Sequence, residues 1–181
     1  MKITIRRFVI IFAFCFLSGS LGQTQALAAT SIKKLLDKAR PGQTVRIPSG
    51  TFIEDLVVPP GVSLIGAGTR KTIIVGNIEL SGTAQNPVSL SRVTVINPGG
   101  RASRAVACKS GRVSIYNTYL ISEGSFAAIG VETDARVLLR NNIIKGPTGD
   151  YAVFGRNRAA IELVNNTIIV QIGRASCRER V

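Results

Sequence analysis

The chain has 181 residues, with 23 Lys plus Arg against 10 Asp plus Glu, a formal charge of +13 and no histidine. The missing imidazole excludes Ser-His and Cys-His nucleophilic catalysis and any histidine metal ligand. Carboxylates are left as the acid–base candidates, and the basic balance points to an anionic partner or a solvated basic surface.

The first segment reads as an export signal. Lys2, Arg6 and Arg7 precede an unbroken apolar run, Phe8 to Leu17, and Ala26-Leu27-Ala28 forms an A-x-A cleavage site. The run is about half of the roughly 20 residues that span a bilayer. The expectation is a signal peptide over residues 1–28, a secreted or periplasmic product, and no stable membrane anchor after cleavage.

A short helix is predicted next. Ile32, Leu35, Leu36 and Ala39 fall at i, i+3, i+4 and i+7, Ser31 is placed to act as N-cap, and Pro41-Gly42 stops the pattern. Short β-branched or apolar runs follow, among them Val45–Ile47, Leu56–Val58, Val62–Ile65 and Thr72–Val75. Pro48-Ser-Gly50, Pro59-Pro-Gly61 and Gly66-Ala-Gly68 separate them.

Further on the chain repeats itself. Val88-Ser-Leu-Ser-Arg-Val-Thr-Val-Ile-Asn97 is echoed from Val113, Val137 and Ile161, at spacings of 25, 24 and 24 residues. A second register places Ala105, Ile129 and Val153 in steps of 24. A fixed period in this range marks a solenoid. Each period holds about three short strands and no helix, which predicts an all-β, right-handed parallel β-helix over residues 29–170. The early helix would cap the open core of the first coil. Asn117, Asn141 and Asn165 fall in one ladder, where stacked amides are expected to bond to one another and to turn backbone.

The last segment, residues 171–181, abandons every preceding pattern. Ile172-Gly-Arg-Ala-Ser-Cys-Arg-Glu-Arg-Val181 resembles the translation of a common sequencing adapter and is read as a non-native tail. The solenoid is therefore expected to be truncated near Val170. Without signal and tail, 17 basic and 9 acidic residues remain, a charge of +8. Cys108 is then the remaining cysteine, expected as a small packing residue without a disulfide.

The run Ala39-Arg-Pro-Gly-Gln-Thr-Val-Arg-Ile-Pro-Ser-Gly-Thr-Phe52, with Gly61-Val-Ser-Leu-Ile-Gly-Ala-Gly68 and Lys71-Thr-Ile-Ile-Val-Gly76, resembles the opening of pectin-lyase-like proteins. The resemblance covers roughly residues 31–170. It implies recognition or processing of an extracellular, acidic polysaccharide by an esterase, lyase or hydrolase. It equally accommodates a non-enzymatic surface or adhesion-type β-helix. Gly146-Pro-Thr-Gly-Asp-Tyr-Ala-Val-Phe-Gly155 is similar to a pectin methylesterase motif, which would make Asp150 a catalytic candidate. The spacing differs, and Arg104 stands where that family has glutamine.

As a binding surface, the turns Pro98–Arg104, Ser122–Phe126 and Pro147–Tyr151 would line one sheet edge, with Arg101, Arg104 and Tyr151 as sugar contacts. Glu132 and Asp134 have Arg156 and Arg158 at the 24-residue spacing and are expected as ion pairs one rung apart. No metal or other cofactor is evident, calcium stays open, and the lack of aromatic–basic interleaving speaks against nucleic acid. Oligomeric state is not legible.

Overall fold

The computed structural model describes residues 31–100, 103–124, 126–148 and 150–170. The expected signal peptide, the expected adapter-like tail and Arg101 lie outside them. The described chain is a parallel β-solenoid of about five turns with coils about 24 residues apart. Three parallel sheets make its walls.

Sheet A stacks β1 (Thr44–Ile47), β4 (Ser63–Gly66), β7 (Val88–Ser91), β10 (Arg112–Tyr116), β13 (Arg136–Arg140) and β16 (Ala160–Val164). Sheet B stacks β2 (Gly50–Ile53), β5 (Thr72–Val75), β8 (Thr94–Asn97), β11 (Tyr119–Ser122), β14 (Ile143–Lys145) and β17 (Thr167–Ile169). Sheet C stacks β3 (Leu56–Val58), β6 (Ile78–Ser81), β9 (Arg104–Ser110), β12 (Ala127–Val131) and β15 (Tyr151–Gly155).

Period-2 alternation sends every second side chain inward, and the coil repeat piles like on like. Leu64, Leu90, Ile115 and Leu139 form one fully buried column on sheet A. Phe52, Ile74, Val95, Leu120 and Ile144 form another on sheet B. On sheet C the columns are Leu56, Ile78, Val106, Ile129 and, beside it, Val58, Leu80, Cys108, Val131. Each buried Leu or Ile contributes about 1.5–3 kcal/mol relative to exposure. The last members of the first two columns, Leu163 and Ile168, are 49% and 45% exposed.

The opposite end is closed. Helix α1 (Ile32–Leu36) packs on β3 and β1 and buries Ile32 and Leu36 in the core. It is shorter than the predicted Ile32–Ala39, because residues 37–39 form a turn with Ala39 N–H donating to the Leu36 carbonyl. Ser31 does not cap it through its side chain. Glu54, from the β2–β3 turn, takes that part instead: its carboxylate accepts from Ser31 Oγ (2.8 Å), Ile32 N (2.6 Å) and Lys33 N (3.3 Å). A carboxylate suits a helix start because the free N–H groups there carry partial positive charge.

The corner from sheet A to sheet B repeats with little change. Arg92, Asn117, Asn141 and Asn165 all adopt left-handed backbone, φ +52° to +57°. Asparagine tolerates that conformation better than most side chains. The amide bonding expected of Asn117, Asn141 and Asn165 is carried one residue later. Asn142 is 1% exposed; its Oδ1 accepts from Thr118 N (3.0 Å) and Thr118 Oγ1 (2.8 Å), and its Nδ2 donates to the Ile115 carbonyl (2.9 Å) and Asn166 Oδ1 (3.0 Å). Asn166 repeats the pattern with Leu139. The first Asn of each pair bends the chain, and the second fills the inside of the bend.

One register differs from expectation. Ile129 pairs with Val106 rather than Ala105, while Val153 pairs with Ile129 as expected. Six residues separate Asn97 from Arg104 but only four separate Ser122 from Ala127, so sheet C steps by 23 after sheet B has stepped by 25.

Candidate functional site

The loops between sheets B and C define a groove of about 370 Å³. Its lining includes Ser122, Glu123, Lys145, Pro147, Thr148 and Asp150. Asp150 is half-buried, and the next residue, Tyr151, is 53% exposed at the start of β15. Two carboxylates, a lysine and hydroxyls around one hollow offer hydrogen bonds of both senses.

Sheet C brings Arg104 and Tyr151 into one row, with Ala127 between them in register. Their surroundings differ. Arg104 lies over the Phe126 ring, 5.1 Å from its centroid, and Nη1 donates to Glu132 Oε1 at 2.7 Å. The side chain is 14% exposed, and its Nε is buried without a hydrogen-bond partner. Gly130 permits this, since a Cβ there would lie 2.3 Å from Arg104 Cδ. The charge of Arg104 is thus used inside the protein rather than presented to a ligand. Tyr151 is presented, on a platform formed by Phe154 (5.2 Å between centroids) and Phe126 (6.2 Å), which contact each other edge to face at 4.8 Å.

Glu132 also meets Arg156 at 3.4 Å, and Asp134 is held in a two-pronged bond by Arg158 at 2.7 and 2.8 Å. Both rung-to-rung pairs expected from the 24-residue spacing are present. Lys109 and Glu79 add a third pair, at 3.4 Å. The Arg158 hydrogen bonds hold the Asp134 carboxyl below its usual range. Its small contribution to stability is present above the unfolded carboxylate value and is lost as pH falls through the lower folded one. Inside the same sheet, burial pushes the Cys108 thiol up to about 12, which makes it unreactive at neutral pH.

Phe126 and Phe154 were not singled out from the sequence. They lie 28 residues apart, off the coil period, and only the loop geometry brings their rings together. Among the described residues no group of three or more Cys, Asp or Glu is placed to hold a metal ion. Compared with known proteins, the chain matches no family model, no curated protein and no solved structure.

Proposed function

We propose that this solenoid, of the pectin-lyase-like type, is an exported protein that binds an acidic polysaccharide, with the sheet B–sheet C groove seating a short stretch of the sugar chain. The observation that carries the reading is Tyr151, an exposed ring braced by two further aromatics and directly following Asp150 of a hydroxyl- and carboxylate-lined groove. A braced tyrosine ring presents a flat apolar face on which a pyranose can stack while the phenol hydroxyl bonds to sugar hydroxyls. The export motif and the basic charge support the extracellular, acidic character of the ligand.

The test is retention on immobilised polygalacturonate and alginate at low salt, where opposite charges attract most strongly. The wild-type protein is expected to be retained, and Tyr151→Ala to bind roughly tenfold more weakly. Absence of wild-type retention on both polymers refutes the reading. A processing role is favoured by one feature, the presence of Glu123 and Asp150 on the same groove. Paired carboxylates can share general acid and base work. Release of methanol from methyl-esterified pectin by the wild type and its loss in Asp150→Asn would establish it.

A further inference from the structure

The outer face of sheet A handles charge differently from sheet C and its turns. Arg112 and Arg136 sit in register on β10 and β13, so their backbones are about 4.8 Å apart. Both are exposed, and neither has an ion-pair partner among the described residues. Asp134, in the adjoining turn and on one hollow with both arginines, is already held by Arg158. Like charges directly opposite on neighbouring strands are destabilising. The arginines are not needed to guard a sheet edge, because β10 and β13 are interior strands.

Two adjoining hollows of about 390 and 430 Å³ lie across this face and share Ser114 and Leu138. Arg112 and Arg136 border the first, and Arg140 with the exposed Tyr116 borders the second. Glu162, on the last strand of the sheet, is the acid on their lining. Next to Arg112 on its strand, Ser114 ends a column of hydroxyls that runs back through Ser89, Ser63 and Thr44 on the preceding coils, and Leu138 takes that position between Arg136 and Arg140. From residue 136 to residue 140 the strand covers about 13 Å, room for a few sugar units laid along β13.

We infer that the outer face of sheet A is a second binding site, in which Arg112 and Arg136 take a carboxylate or sulfate group of a linear acidic glycan and Arg140 takes the next. Paired guanidinium forks match such groups in a two-pronged fashion, and an anion seated between them removes the repulsion the free protein carries. Ser114, on the lining of both hollows, supplies a partner for a sugar hydroxyl. The inference rests on the polysaccharide reading for the class of ligand but uses a different face and different residues.

The experiment is calorimetric titration of wild type, Arg112→Gln/Arg136→Gln and Tyr151→Ala with polygalacturonate oligomers, dextran sulfate and uncharged dextran, alongside thermal melting. The double variant should lose roughly tenfold in affinity per arginine for the anionic ligands while melting no lower than wild type. Loss of binding to one anionic polymer alone in the double variant supports the site and identifies its group as carboxylate or sulfate. Wild-type affinity in the double variant, with binding lost in Tyr151→Ala, overturns the inference and leaves the sheet C reading standing. Failure of the wild type to bind any of the polymers overturns both. Binding of uncharged dextran alone overturns the sheet A site and, with it, the acidic character proposed for the ligand.

Discussion

Sheets A and C are walls of the same coils, yet they dispose of charge in opposite ways. On sheet C and its turns, acids and bases alternate: Glu79 with Lys109, Glu132 with Arg104 and Arg156, Asp134 with Arg158. On sheet A, Arg112 and Arg136 stack without an acid between them. A 24-residue repeat makes either outcome easy, because whatever stands at one position is brought within a rung of its successor. Opposite charges at that spacing give a self-satisfied surface, and like charges give one that is satisfied by something else. The comparison separates the charges that hold the protein together from those available to a ligand.

The largest expected effect falls on the frame from which both faces hang. Asn142→Ala strands the Thr118 N–H and the Ile115 carbonyl inside the corner and should cost about 2–4 kcal/mol, read as a lower denaturant midpoint at unchanged slope. Asn141→Ala, one residue earlier, loses only the tolerance of left-handed backbone, about 1 kcal/mol. Equal losses at the two positions would contradict the division of labour between them.

A smaller effect distinguishes the faces directly. Glu132→Gln removes the acid from a mostly buried Arg104 and should cost about 2 kcal/mol, less than a fully buried pair because both groups keep some contact with water. Arg136→Gln should instead leave stability level or raise it by a few tenths of a kcal/mol. If the two variants melted alike, the contrast between a self-satisfied and a ligand-facing surface would be lost.

Much of this architecture is legible in the sequence because the core is periodic. The echoes from Val88, Val113, Val137 and Ile161 are the same inward columns that the strands stack, and Ile32 and Leu36 read as a cap because their stripe has no other core to meet. Local spacing fails where a loop changes length. The two extra residues before Arg104 shift sheet C by one position, so Ala105 was matched to Ile129 in place of Val106. In the Asn141-Asn142 and Asn165-Asn166 pairs, both residues share the same period. Only the left-handed φ of the first and the inward side-chain bonds of the second decide which amide forms the ladder. For the site, Tyr151 could be read from the turn that precedes it. The burial of Arg104 could not, since it depends on Gly130 and on the Phe126 ring. Arg112 and Arg136 stand 24 apart in the sequence, the signal that would have found them, but no motif draws attention to that pair.

The most direct test of the central claim is the salt dependence of polygalacturonate binding in wild type, Arg112→Gln/Arg136→Gln and Tyr151→Ala. Raising ionic strength from about 0.01 to 0.15 M shortens the Debye length from about 30 to 8 Å and screens exposed charges selectively. The account predicts a steep loss of wild-type affinity, a clearly flatter dependence in the double arginine variant, and weaker binding with the wild-type slope in Tyr151→Ala. A double variant that kept the wild-type slope would show that the arginines of sheet A do not contact the ligand's charge.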